Sequence, residues 1–216
     1  HENYLRSINP NRETKEQFES ILAQKIEEAK ALRTTASPNV VVTIPVVIHI
    51  IHNGDAVGSE ENISDAQALS QITVLNQDFR RMMNTPGFNN NPVGADVEVQ
   101  FCMAQRKPNG TATNGIDRVQ QSVSQFTSIG ATETMKANTI WDPTKYLNFW
   151  VVRFQEPFPG FGGGVLLGYG QFPSFSGLSD LGSNIDDANT DGVAMSFRAF
   201  GSSDIGKNHR INVEFV

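Results

Sequence analysis

The chain has 216 residues, 38% apolar and 19% charged side chains, the composition of an ordinary globular protein large enough for one sizeable core. Its net charge of −6, with Lys and Arg scattered, excludes the clustered basic footprint of a nucleic-acid binder, and no run of about 20 apolar residues is available to span a bilayer. The one cysteine, Cys102, excludes an internal disulfide and reads as a buried, inert thiol.

Residues 1–13 are polar and irregular. From Thr14 onward Phe18, Leu22, Ile26, Ala29 and Leu32 recur at helical spacing. Thr14 and Gln17 fit a capping box, in which hydroxyl and amide each satisfy a backbone N–H at the helix start. Glu13, Glu16 and Glu19 near one end and Lys30 and Arg33 near the other complement the helix dipole. Two readings stand: a solvated helix lying on the body, or the end of a propeptide. Residues 34–39 read as a linker.

The stretch 40–53 follows, aliphatic from Val40 to Ile51 except at Thr43, Pro45 and His49. β-Branched content predicts a strand, and unbroken apolarity predicts one covered on both faces, as in a mainly parallel sheet. Pro45 cannot donate to a ladder, so good pairing is expected from Val46. Ser64 and Gln67 form a second capping box, with Ile63 as a staple residue, and open a helix to about Arg81 with the stripe Leu69, Ile72, Leu75 and Phe79. Val97, Val99 and Phe101 alternate as a strand, which completes a βαβ unit. Pro108-Asn109-Gly110 is a turn. Residues 111–140 are mixed, with a short helix near 131–137. Further strands are expected at 146–154, at 165–172 as a glycine-bearing edge strand, and at 192–197. Residues 173–190 read as a polar loop.

On a strand His49 and His52 point to opposite faces and cannot share a metal. His49 reads as a satisfied structural histidine and His52 as a solvated one. Asp187-Ala188-Asn189-Thr190-Asp191-Gly192 matches the first half of a calcium loop, so Asp187, Asn189 and Asp191 are candidate calcium ligands. The position of the bidentate glutamate holds Arg198, and a solvated turn is the competing reading. The glycines 160–164 lack the Lys and the helix of a phosphate-binding loop, and neither G-x-S-x-G nor H-E-x-x-H occurs. Trp141 and Trp150 read as core or edge residues.

Several stretches taken together resemble the pappalysin family of metzincin zinc metallopeptidases (ulilysin-like). They are IPVVIHIIHN at 44–53, ISDAQALSQITVLNQDFRR at 63–81, VQFCMA at 99–104, PNGTATNGIDRV at 108–119, WDPTKYLNFWV at 141–151, LGYGQFP at 167–173, and Asp191-Gly192-Val193. The resemblance implies an α/β fold of the α+β zincin type. A twisted, mostly parallel five-stranded sheet would have an antiparallel edge strand and backing helices, with a propeptide-like helix before it and the C-terminal subdomain missing. It divides the chain into a propeptide-like segment and linker at 1–38, the N-terminal subdomain at 39–205, and an aberrant or truncated tail at 206–216. It further implies a secreted zinc endopeptidase whose edge strand, through Leu167, Gly168, Tyr169 and Gly170, binds an extended peptide by main-chain pairing. The next helix of the family carries H-E-x-x-H-x-x-G-x-x-H, with histidines one turn apart on zinc and the glutamate as base. Here His209 lies near the first ligand position, but Arg210 replaces the glutamate and Val213 the second histidine. No catalytic or zinc-binding residue is therefore named. The expectation is a chain inactive as given, with a non-catalytic peptide-binding or calcium-dependent adhesion module as the alternative.

Overall fold

The computed structural model describes residues 10, 13–33, 40–159, 163–174, 176 and 187–202. The expected linker at 34–39 and the tail at 206–216 lie outside the described residues. Among the described residues three α-helices, α1 (Lys15–Arg33), α2 (Asp65–Phe79) and α3 (Ile129–Thr139), accompany six strands: β1 (Val42–His52), β2 (Val99–Met103), β3 (Ile116–Gln120), β4 (Leu147–Val152), β5 (Gly168–Gly170) and β6 (Val193–Ser196). The sheet order is β2-β1-β4-β6-β5, with β3 also on β1, and only the β5–β6 pairing is antiparallel.

The sixth strand was not expected, yet it adds no sixth lane. Val42 N donates to Glu98 O, Ala104 N to Val46 O, Ile48 N to Gly115 O and Gln121 N to His52 O. The even-numbered residues of β1 thus all bond on one side, to β2 along its first half and to β3 along its second. The odd-numbered residues face β4. Pro45, whose ring removes a donor, falls on the β4 side one residue before that ladder opens at Val46. Its lost N–H therefore costs no bond to β2, and β1 begins at Val42 rather than at Val46.

Both faces of β1 are covered. Val46, Ile48 and Ile50 pack with Phe101, Phe149, Val151 and Met195 beneath Ala68 and Ile72 of α2. Ile51 joins Trp150, Val152 and Ala194 beneath Met135 of α3. Each such aliphatic side chain stabilises the fold by about 1.5–3 kcal/mol on burial. That two-sided burial is why the segment reads as continuously apolar. Trp141 and Trp150 are core residues. Cys102, by contrast, is exposed, which corrects the expected buried thiol. It shares a face of β2 with Gln100, whose amide donates to Thr43 at the surface, and the layer under α3 does not reach that far.

The capping chemistry divides between the helices. At α1 the box is complete: Thr14 N donates to Gln17 Oε1 (2.8 Å) and Gln17 N to Thr14 Oγ1 (3.2 Å). At α2 only Ser64 acts as foreseen, accepting from Gln67 N at 3.2 Å. Gln67 instead sends its Nε2 to the carbonyls of Phe197 and Phe200, tying the helix to the end of β6. α1 is exposed along most of its length, with Phe18, Ile21 and Leu22 half-buried. Phe18 stacks on Phe172, two residues beyond β5, with ring centroids 5.7 Å apart.

Candidate functional site

A sheet offers main-chain hydrogen bonds only at its edges. On the β2 side the centre of the edge is already closed: Asn76 of α2 accepts from Phe101 N at 2.7 Å and donates to Phe101 O at 3.0 Å. On the β5 side, no strand among the described residues pairs with the outer edge. The register of β5 on β6 is Gly168↔Met195, Tyr169↔Ala194 and Gly170↔Val193, and Ser196 N donates to Leu167 O at 2.8 Å. Antiparallel ladders alternate. Leu167 and Tyr169 consequently direct their peptide groups to β6, whereas Gly168 and Gly170 turn theirs to the open edge. The four residues singled out from the sequence thus fall into two pairs with different tasks.

Tyr169 is the only residue of β5 with a side chain, and it points beneath the sheet toward α3. Its hydroxyl donates to Glu133 Oε1 at 2.6 Å. Lys136, one turn further along α3, sits 2.9 Å from the same oxygen, with its side chain fully buried and that of Glu133 nearly so. The Lys136 ammonium lies over the rings of Trp150 (5.1 Å) and Tyr169 (5.2 Å). It and Glu133 Oε2 are buried without a hydrogen bond of good geometry, so the contact is a buried ion pair. Burial pushes the Lys136 amine down, against the pull of Glu133 and Asp191, and pushes the Tyr169 phenol well up. Sequence reasoning missed Glu133 and Lys136. Their spacing gave no inward signal, because opposite charges three apart on a helix ordinarily form a solvated surface pair.

Around this cluster the backbone is closely fitted. A Cβ on Gly168 would stand 2.9 Å from Ala194 O. Gly192, at φ +140°, leaves no room at all, since a Cβ would lie 2.3 Å from Asn148 O. Asp191 accepts from Ser174 N (3.0 Å) and Ser174 Oγ (3.3 Å) and so closes the loop that follows β5.

The other candidates are placed as follows. Asp187 accepts from Asn189 N and Nδ2 at 2.9 Å each, bonds that lower its pKa, while Asp191 turns to Ser174. The two carboxylates of the proposed calcium loop therefore serve different partners. His49 is fully buried between β3 and β4, with Nδ1 3.1 Å from Asp117 Oδ2, Nε2 3.0 Å from Asn148 Oδ1, and its ring stacked on Trp150. The hydrogen bond from His49 holds the Asp117 carboxyl below its usual range. His52 accepts from Gly54 N. No group of three or more His, Cys, Asp or Glu among the described residues could hold a metal ion. The described residues do not fit a zinc centre.

No family model and no curated protein matches the chain. Solved structures do. Mature mirolysin of Tannerella forsythia in complex with a cleaved peptide is 36% identical, with TM-score 0.59, over 76% of this chain and 56% of that one. Mirolysin in complex with compound 9 is 36% identical, with TM-score 0.58, over 76% of this chain and 55% of that one. The chain is similar to mirolysin, a metzincin of the pappalysin family. A point mutant of Tannerella forsythia promirolysin is 35% identical, with TM-score 0.59, over 85% of this chain and 56% of that one. The chain thus spans about half the length of the mirolysin structures it matches. Over that span it has the fold expected of it: a mostly parallel sheet with an antiparallel edge strand and backing helices. The family is one of metalloendopeptidases. No described helix is long and apolar enough to cross a membrane.

Proposed function

We propose that this chain provides the substrate-gripping part of a secreted zinc endopeptidase, in which the open edge of β5 receives an extended peptide by strand addition. The observation that carries the reading is the outward orientation of the Gly168 and Gly170 peptide groups on an edge that no strand among the described residues pairs with. Mature mirolysin, solved with a cleaved peptide, supports the same assignment. Residues 1–38 are read as the end of a propeptide. The match extends over more of this chain for promirolysin than for mature mirolysin, and Phe18 rests on Phe172, two residues beyond the gripping strand. Arg210 and Val213 stand where the family has its glutamate and second histidine, so the 216-residue chain is expected to bind peptide without holding zinc or hydrolysing it. A non-catalytic peptide-binding module would use the same edge.

The test uses the 216-residue chain and a blocked, uncharged heptapeptide rich in valine and threonine. Strand addition predicts saturable binding that is abolished by N-methylation of alternate peptide amides and little affected by methylation of the others, because only every second residue faces the receiving strand. Binding indifferent to the methylation pattern would contradict the reading. One tightly held zinc per chain, by metal analysis, would overturn the expected lack of a metal centre.

A further inference from the structure

β5 is three residues long, and two of them are glycines, which lose the most conformational freedom on ordering. Its ladder with β6 spans those three residues and is extended only by the bond from Ser196 N to Leu167 O. Gln171, next along the chain, is held by Thr190 and the Asp187 carbonyl. Within the strand itself one side chain adds a further anchor. Tyr169 reaches through the sheet layer to α3, where its hydroxyl meets Glu133 Oε1 at 2.6 Å and its ring lies against the Lys136 ammonium. Glu133 is itself held by Lys136 at 2.9 Å, and the Lys136 ammonium lies over the ring of Trp150 of β4, 5.1 Å from its centroid. A hydrogen bond to an ionised acceptor is roughly twice as strong as a neutral one, and burial keeps water from replacing it.

We infer that Tyr169, seated on the buried Glu133–Lys136 pair, is a positioning residue that fixes the rotation and height of β5 and so aims the peptide groups of Gly168 and Gly170 at an incoming peptide. The last clause rests on the function proposed above; the anchoring itself does not. The device explains why a strand that presents only backbone to its open edge retains one large side chain on the opposite side. It also explains why two charges lie in the layer beneath it.

Amide hydrogen exchange separates anchoring from general packing, because β6 carries its own control. The amides of Ala194 and Ser196 face β5, whereas those of Met195 and Phe197 face β4; Ser196 N donates to Leu167 O and Phe197 N to Val152 O. In the 216-residue chain, Tyr169→Phe removes only the hydroxyl. It is expected to speed exchange at Ala194 and Ser196 about 10-fold or more while leaving Met195 and Phe197 within about 2-fold of the parent. Glu133→Gln with Lys136→Met, made with Tyr169 in place, keeps a neutral acceptor for the hydroxyl and removes both charges, and is expected to give exchange at Ala194 and Ser196 between that of the parent and that of Tyr169→Phe. Uniform acceleration over all four amides would make Tyr169 an ordinary core residue. Unchanged exchange in Tyr169→Phe would show that the ladder suffices. Either result overturns the inference. The heptapeptide is then titrated into Tyr169→Phe, and affinity is expected to fall in proportion to the loss of protection. A parent chain that binds no peptide, with the exchange pattern as expected, would count against the proposed function and leave the anchor standing.

Discussion

Removing the Lys136 charge alone is expected to be among the most damaging single changes in the α3 layer, and removing it together with its partner nearly harmless. Lys136→Met keeps most of the buried stem, so packing against Trp150 and Tyr169 is largely retained. What it leaves is Glu133, 8% exposed, with Oε2 already lacking a partner and its counter-charge gone. Breaking a buried ion pair from one side costs about 3–5 kcal/mol, whereas replacing both charges with apolar or neutral groups is often neutral or stabilising by about 1–4 kcal/mol. Lys136→Met should therefore lose about 3 kcal/mol, roughly a fifth to three fifths of the 5–15 kcal/mol typical of a domain. The double variant with Glu133→Gln should lie within about 1 kcal/mol of the parent, giving a coupling of about 2 kcal/mol or more in the double-mutant cycle. Urea unfolding of the four proteins at pH 7, followed by tryptophan fluorescence, measures this directly. Additive single losses, or a double variant worse than either single, would refute the description of the pair as a buried, mutually compensating charge site.

Asp117→Asn should cost about 2 kcal/mol at pH 7, the worth of a charge-assisted hydrogen bond to His49. The folded-state pKa of Asp117 lies below its ordinary 3.8, so its contribution is present above that value and is lost as pH falls through the folded value. Urea midpoints of parent and variant should accordingly converge as pH falls below 3.8 and through the folded-state value. Gly192→Ala should destabilise by about 3 kcal/mol or more, through both its φ of +140° and the 2.3 Å approach of a Cβ to Asn148 O, as read by the thermal midpoint. Brief trypsin treatment should cut at Lys25, Lys30 or Arg33 before any site in 40–200, because α1 is exposed outside Phe18, Ile21 and Leu22; mass spectrometry of the first fragments checks this.

How much of this was legible in the sequence depends on what each residue does. β1 was legible because burial on two faces leaves an unbroken apolar run, and α2 because Ile72, Leu75 and Phe79 recur on its inner face, although Leu69 of the expected stripe is exposed and Ala68 takes the buried position beside it. β3 was not, since Ile116-Asp117-Arg118-Val119-Gln120 carries tertiary duties in place of a period. Asp117 serves His49, and Arg118 bonds Asn62, the Ile63 carbonyl and Asp65 at the start of α2. The edge strand was legible from its glycines and from the family resemblance. The division of labour within it was not, because which peptide groups face outward follows from register on β6. Glu133 and Lys136 stayed hidden for a related reason: two opposite charges on a helix read as a solvated pair until the strand that buries them is in place.

The central claim is that the β5 edge receives an extended peptide. The most direct measurement is a residue-by-residue map of backbone amide shifts and exchange protection in the 216-residue chain, with and without the valine- and threonine-rich heptapeptide. The account predicts that the amides of Gly168 and Gly170 shift and gain protection, with Tyr169, Ala194 and Ser196 already protected in the free chain, and that Val99–Met103 is unchanged because Asn76 closes that edge. Perturbation centred on β2, or none at Gly168 and Gly170 under saturating peptide, would contradict it.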